Sequence, residues 1–134
     1  MNMKKIVLGC VISLSMTSVV CNAASLNDVV NIKSVKNIIS SDEQATAFMD
    51  NDAICRADTR TGRIMEIDYN RFGDSVFGVR IGDEFHVPTN GTLVAQNRYN
   101  GKCYFTFMMT DKSLVRLCME DAVVTQISWL VYVG

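Results

Sequence analysis

The sequence predicts an α+β fold, in which one or two N-terminal helices pack against a small antiparallel β-sheet or half-open barrel. Three observations support this class. Apolar residues recur near a 3.6-residue period over residues 25–39. Asn-Gly dipeptides at 90–91 and 100–101 are favoured in the tight turns of β-hairpins. Residues 122–133 are rich in the β-branched and aromatic side chains that strands prefer.

The first two dozen residues have the three-part pattern of a bacterial secretory signal peptide. Lys4-Lys5 forms the basic start, residues 6–20 carry no charge, and Asn22-Ala23-Ala24 supplies the small residues that a signal peptidase accepts. We expect cleavage after Ala23 or Ala24 and take residues 1–24 as the signal peptide. Its removal places the mature protein in the periplasm, with outer-membrane association or secretion left open. The alternatives are an uncleaved membrane anchor and a lipoprotein modified at Cys10 or Cys21.

The composition of the mature chain limits the classes of partner. Removal of 24 residues from the 134-residue chain leaves 110, which is enough for one domain with one hydrophobic core. Of the 13 basic side chains, Lys4 and Lys5 leave with the signal peptide, so 11 remain against 14 acidic ones, a net charge of −3. This composition argues against nucleic-acid binding, which depends on clustered Lys and Arg.

We predict a helical segment at residues 25–52 and an antiparallel β-domain at residues 53–134, which together form one globular unit. The first helix covers residues 25–39. Ser41 and Gln44 have the spacing of a capping box and predict the start of a second, short helix.

The β-domain is predicted from alternation and turn residues. Residues 63–69 alternate apolar and charged side chains, as a half-buried strand does. The two Asn-Gly dipeptides favour type I′ turns, because both central residues of such a turn have positive φ, and they bracket a strand at 92–99. Residues 110–113 separate two further strand-like runs, and residues 122–133 form a last strand docked in the sheet.

Three cysteines remain after cleavage, and an oxidising periplasm favours a disulfide between two of them. A tight turn centred on Thr110-Asp111 places Cys103 opposite Cys118, at a separation that suits a cross-strand disulfide, and leaves Cys55 free. If the turn shifts by one residue, Cys118 faces Phe105 instead. The other alternative is three buried thiols that pack as small apolar side chains.

No catalytic constellation is recognisable, so we predict no enzymatic activity, no catalytic residue, no metal site and no cofactor. His86 is the only histidine, and neither a nucleophile nor an orienting carboxylate lies next to it in the sequence. No two cysteines of the mature chain have the spacing of a zinc site. Asp50-Asn51-Asp52 does not continue as a calcium loop, because Cys55 stands where the loop needs glycine.

Two short patches, Arg71-Phe72 and Arg98-Tyr99, each place an arginine and an aromatic residue beside a turn. Such pairs can bind a carboxylate of a partner or stack on a sugar. We predict that all four residues contribute to a partner-binding surface. The alternative is that they are ordinary turn-flanking residues.

A set of turn and strand residues extends over about half of the mature chain. It comprises Ile54, Asp58, Gly62-Arg63, Val79-Arg80-Ile81-Gly82-Asp83, Leu93-Val94-Ala95 and Tyr104-Phe105. With this spacing the chain resembles small periplasmic accessory proteins of type IV pili and of the related type II secretion machines. The resemblance implies a small β-domain that docks onto a secretin or an inner-membrane partner.

A second, shorter stretch, residues 103–122, is similar to the disulfide hairpin of pertussis-type toxin binding subunits. Our leading hypothesis is a non-enzymatic periplasmic accessory protein of a bacterial envelope assembly, in pilus biogenesis or protein secretion, whose partner is another envelope or secreted protein. The alternative hypothesis is a secreted binding module, either a toxin-type binding subunit or a periplasmic inhibitor or immunity protein. Neither hypothesis involves nucleic acid or a small-molecule cofactor.

Overall fold

The computed structural model describes residues 24–133, and its fold is all-β. Eight strands form one open antiparallel sheet, and two short strands form a separate hairpin. The predicted α+β class is therefore wrong. Of the predicted signal peptide, only Ala24 lies within the described residues. The strands are β1 (Ile38–Ser41), β2 (Ala45–Asp50), β3 (Ala53–Asp58), β4 (Ile64–Tyr69), β5 (Ser75–Val76), β6 (Val79–Arg80), β7 (Gly91–Tyr99), β8 (Lys102–Met109), β9 (Leu114–Glu120) and β10 (Val123–Leu130).

Two antiparallel meanders make up the main sheet. Strands β1 to β4 pair in chain order, and so do β7 to β10. The meanders are joined by pairing of β4 with β10, in which Ile67 lies opposite Trp129. The last strand is thus central, and β1 and β7 are the two outer edges of the sheet.

The predicted helix over residues 25–39 is replaced by irregular chain and the beginning of β1. The one helical turn described there is a 3-10 turn at Ile32–Ser34. The Asn31 side chain accepts a hydrogen bond from the backbone N–H of Lys33 in this turn. Asn27 and Asn37 have φ values of 73° and 60°, which a continuous right-handed helix cannot include. The apolar positions are filled mostly by Val and Ile, whose β-branched side chains favour extended backbone over helix.

The predicted capping box is in fact the turn between β1 and β2. The Asp42 carboxylate accepts hydrogen bonds from the backbone N–H groups of Gln44 and Ala45, at 2.8 and 2.9 Å. The Ser41 and Thr46 hydroxyls are hydrogen-bonded to each other across the hairpin at 2.8 Å. Short polar side chains can cap a helix or close a turn, and here they close a turn.

Both hydrophobic clusters lie on the same face of the sheet, which we call the apolar face. On β8, β9 and β10 the first cluster includes Phe107, Leu117 and Ile127, and the β5–β6 hairpin covers it with Val79. The second cluster lies on β2, β3 and β4 and is covered by residues 24–35, which we call the N-terminal segment. Its buried members are Leu26, Phe48, Ala53, Cys55, Ala57, Ile64 and Ile67.

Gly62 holds the N-terminal segment over the second cluster. Its carbonyl accepts a 2.9 Å hydrogen bond from the Val30 N–H, and its φ of 79° is left-handed. A Cβ at this position would overlap the Val30 carbonyl oxygen. Glycine is therefore required both by the backbone conformation and by the close approach of the covering segment.

The register of the β8–β9 hairpin does not match the register predicted for a disulfide. Cys103 lies opposite Met119 and Cys118 lies opposite Tyr104, so the two cysteines project from opposite faces of the sheet. Both are free thiols in this structure, as is Cys55, and this register does not suit the predicted Cys103–Cys118 bond.

The loop between β8 and β9 explains why the register differs from the predicted one. The Met109 N–H donates to the Ser113 carbonyl, and Lys112 has a φ of 75°. The loop therefore contains three residues, one of them left-handed, in place of the two-residue turn that the prediction assumed.

No helix within residues 24–133 is long and apolar enough to cross a bilayer.

Candidate partner-binding surface

Strand β7 is an unusually exposed edge of the sheet. It is nine residues long and pairs with β8 on one side, and no strand of the described chain pairs with its other side. Every residue from Thr92 to Tyr99 is exposed, whichever face of the sheet it projects from. The outer edge therefore presents backbone N–H and C=O groups that have no partner strand within residues 24–133.

The loop between β6 and β7, residues 81–90, covers part of the apolar face but not the β7 edge. The ring of Phe85 lies 4.8 Å from that of Phe105 and 6.1 Å from that of Phe107, both of which are on β8. Leu93 lies opposite Phe107 on the same face and is 48% exposed. This loop thus covers β8 but leaves the adjacent edge strand, β7, accessible.

A β-bulge modifies this edge at Val94. Leu93 is opposite Phe107 and Ala95 is opposite Thr106, so Val94 is an extra residue without a cross-strand neighbour. Its side chain is 53% exposed. A bulge increases the local twist and is one of the features by which natural edge strands limit unspecific pairing.

Turn chemistry at the end of β7 follows the sequence prediction. Asn100 and Gly101 have φ values of 51° and 77°, both positive as in a type I′ turn. At the other end only Asn90 has positive φ, and Gly91 donates to the Pro88 carbonyl. Asn90-Gly91 therefore forms the entry to β7 and not a second two-residue hairpin.

Arg98 and Tyr99, predicted as binding residues, lie at the tip of this hairpin. Arg98 is opposite Cys103 and Tyr99 is opposite Lys102, so the two side chains project from different faces of the strand. Tyr99 is 68% exposed. Arg98 forms no ion pair with another described residue, and its guanidinium group is available to a partner.

The other predicted patch has a different environment. Arg71 is paired with the carboxylate of Asp52, and its Nε lies 3.5 Å from Oδ1 of Asp74. Phe72 is 79% exposed, but its ring lies against Gly82, where a Cβ would collide with it. No hydrogen bond or ion pair within residues 24–133 connects this patch with Arg98 and Tyr99. Arg71 therefore links its own loop to the turn between β2 and β3.

A charged cluster on the other face of the sheet was not predicted. We call this the polar face, and the cluster contains Arg56, Glu66, Asp68 and Arg116. Arg56 lies 3.7 Å from Glu66 and 3.6 Å from Asp68. Asp68 is 4% exposed, and its Oδ1 has no hydrogen-bond partner among the described residues.

Asp68 influences the ionisation of Glu66 in this cluster. Burial, followed by the hydrogen bond to Asp68 and the negative charge of Asp68, raises the pKa of Glu66 to about 7. The guanidinium groups of Arg56 and Arg116 oppose this shift only in part. Near neutral pH a protonated Glu66 can therefore donate a hydrogen bond to Asp68. The spacing of Glu66 and Asp68, two residues apart in a strand, could have indicated that they share a face.

Comparisons with known proteins return nothing for this chain: no family model, no curated protein and no solved structure matches it.

Proposed function

We propose that this protein is a non-enzymatic periplasmic accessory protein of a bacterial envelope assembly, and that it binds a partner protein by adding a strand of the partner to β7. The observation that carries the proposal is the outer edge of β7, which is nine residues long and has no partner strand within residues 24–133. Strand addition to such an edge obtains affinity from main-chain hydrogen bonds and specificity from alternate side chains.

The composition of β7 supports a role in binding. Natural edge strands are commonly protected by Lys, by Pro or by inward-pointing charges. β7 has no Lys and no Pro, and its single charged residue is Arg98. Leu93 and Val94 instead present apolar surface to solvent. Protection is thus limited to the bulge, which leaves residues 95–99 regular enough to pair with another chain.

Arg98 and Tyr99 supply specificity in this proposal. Arg and Tyr are enriched among the residues that contribute most to binding energy, and here they project from opposite faces of the same edge. A partner strand that pairs with β7 would contact both side chains. The envelope location rests on the N-terminal pattern, and the role in pilus biogenesis or secretion rests on the resemblance of the β-domain.

Site-specific cross-linking in cells tests this function. A photo-reactive residue is placed in turn at each position from Thr92 to Tyr99 of the full-length chain. Strand addition is expected to give cross-links to one short segment of one partner, with positions along that segment advancing steadily with position along β7. Cross-links scattered over many proteins, or confined to other surfaces, contradict the proposal.

Matched variants sharpen the test. Val94→Lys adds a charge to the β7 edge, and Ile39→Lys adds the same charge to a residue of similar exposure, 55%, on the opposite edge. We expect Val94→Lys, and Arg98→Ala with Tyr99→Ala, to weaken partner binding about tenfold or more. Ile39→Lys should have no effect. Fractionation separates the hypotheses, because an accessory protein stays with the envelope and a secreted binding module reaches the medium.

A further inference from the structure

The first described residue is docked onto the body of the protein. The backbone nitrogen of Ala24 lies 3.0 Å from Oδ2 of Asp50, the last residue of β2. The Ala24 side chain packs against the second hydrophobic cluster. The following residue, Ser25, donates its N–H to the carboxylate of Asp28 at 2.9 Å, on the exposed side of the segment. The backbone nitrogen of Ala24 is thus held against Asp50.

The cleft that receives Ala24 is acidic. It has a volume of about 120 Å³, and Asp50 and Asp74 line it together with Cys55 and Tyr69. Burial, and then the charges of Asp50 and Asp68, raise the pKa of Cys55 to about 12. Burial, and then the neighbouring Cys55, Asp74 and Asp50, raise the pKa of Tyr69 to about 12. Asp74 is paired with Arg71, but no Lys, Arg or His of residues 24–133 forms an ion pair with Asp50. A half-buried carboxylate therefore faces the backbone nitrogen of Ala24 without a basic side chain to balance it.

We propose that the exported chain is cleaved between Ala23 and Ala24, and that the new α-ammonium group of Ala24 forms an ion pair with Asp50 in this cleft. A signal peptidase would hydrolyse the Ala23–Ala24 peptide bond with one molecule of water. The products are a carboxylate on Ala23, which leaves with the signal peptide, and an ammonium group on Ala24. This boundary is one of the two that the sequence allows, and the contact with Asp50 selects it over cleavage after Ala24.

Two observations favour this bond over the next one. Cleavage after Ala23 places Cys21 and Ala23 at the two positions where a signal peptidase requires small residues, whereas cleavage after Ala24 places the larger Asn22 at the first of them. Cleavage after Ala24 also removes the contact with Asp50. In an uncleaved chain the same nitrogen is a neutral amide, which cannot balance the charge of Asp50.

Mass spectrometry of the exported protein tests the position of the cut. The full-length gene is expressed, the periplasmic protein is purified, and its intact mass and N-terminal sequence are determined. The expected protein begins at Ala24. A protein that begins at Ser25, keeps residues 1–23, or carries lipid on Cys10 or Cys21 overturns the proposal.

Titration of the α-amino group tests the ion pair. An opposite charge at hydrogen-bond distance should raise the pKa of the Ala24 amine by at least one unit above the usual value of about 7.7–8.0. The rate of amine acetylation as a function of pH, followed by mass spectrometry, measures this value. A normal pKa in the wild-type protein overturns the ion pair by itself, whether or not any variant folds.

Three exported variants complete the experiment. Asp50→Asn should return the amine to its normal pKa and make it acetylate about tenfold faster at pH 7.5. Asp50→Glu keeps the charge and should preserve at least part of the shift. Asp28→Asn, which removes the carboxylate bound by Ser25, serves as the matched control and should leave the shift unchanged. Equal amine pKa values in wild type and Asp50→Asn contradict the assignment.

Discussion

Replacing Glu66 by Gln tests the raised pKa of this residue on the polar face. The variant keeps the shape of the side chain and a group that can donate to Asp68, but it cannot ionise. Arg56 retains its contact with Asp68 at 3.6 Å, so the substitution does not leave that arginine unpaired. The change therefore isolates the cost of ionising Glu66 in the folded protein.

The sign of the effect follows from proton linkage. Burial, and then the hydrogen bond and charge of Asp68, raise the pKa of Glu66 from 4.5 to about 7. Between these pH values the folded protein keeps a proton that the unfolded chain has released, so stability falls as pH rises through this window. Above pH 7 both states are ionised and the loss is complete. Since Glu66 is only partly buried, we expect a loss of about 1–2 kcal/mol once solvent screening is included.

Urea unfolding at pH 5 and pH 8 measures this difference, with the fluorescence of Trp129, the only tryptophan, as the signal. Wild type should be less stable at pH 8, and Glu66→Gln should be more stable than wild type at pH 8 by about 1–2 kcal/mol, with equal stability near pH 5. Glu43→Gln, at an exposed residue without an ion pair in the described structure, is the control and should follow wild type. A Glu66→Gln variant that keeps the wild-type pH dependence would refute the reasoning.

Two further predictions concern the backbone and the cysteines. Gly62→Ala should lower the free energy of unfolding by more than 2 kcal/mol, because it combines left-handed backbone strain with overlap at the Val30 carbonyl. Gly73→Ala is the control, because its φ is 92° and no atom lies near the added Cβ; it should lower the free energy of unfolding by only about 1 kcal/mol. Equal losses of unfolding free energy for the two variants in a urea titration would argue against the overlap at Val30. A reductant should leave the melting temperature unchanged, since Cys103 and Cys118 project from opposite faces; a linked peptide in a non-reducing digest would contradict this register.

The candidate binding surface was predictable only where a turn determined it. Arg98 and Tyr99 flank Asn100-Gly101, and the positive φ of both turn residues places the pair at a hairpin tip. Arg71 was predicted on the same pattern, yet its charge is bound by Asp52 and Asp74. Asp74 lies three residues further along the same loop, but Asp52 comes from the turn between β2 and β3, and no local pattern shows that the fold brings Asp52 to Arg71.

In the polar-face cluster, too, local sequence predicts only part of the arrangement. Alternation in β4 places Glu66 and Asp68 on one face, which is a property of extended backbone alone. That Arg116 joins them depends on Ser128 lying opposite both Asp68 and Arg116 in the assembled sheet. The raised pKa of Glu66 depends on burial by these strands, which alternation in one strand does not determine.

The sequence by itself determined the strand-rich second half of this protein, the turn at Asn100-Gly101 and the alternating strand β4, because these follow from local φ preferences and side-chain period. Tertiary structure decided the rest. An apolar period near 3.6 predicted a helix over residues 25–39, but Asn27 and Asn37 adopt left-handed φ and the segment covers the second cluster as extended chain. The hairpin register, the central position of β10 and the free edge of β7 were decided in the same way. Burial of apolar area across distant strands outweighs propensities that differ by less than about 1 kcal/mol per residue.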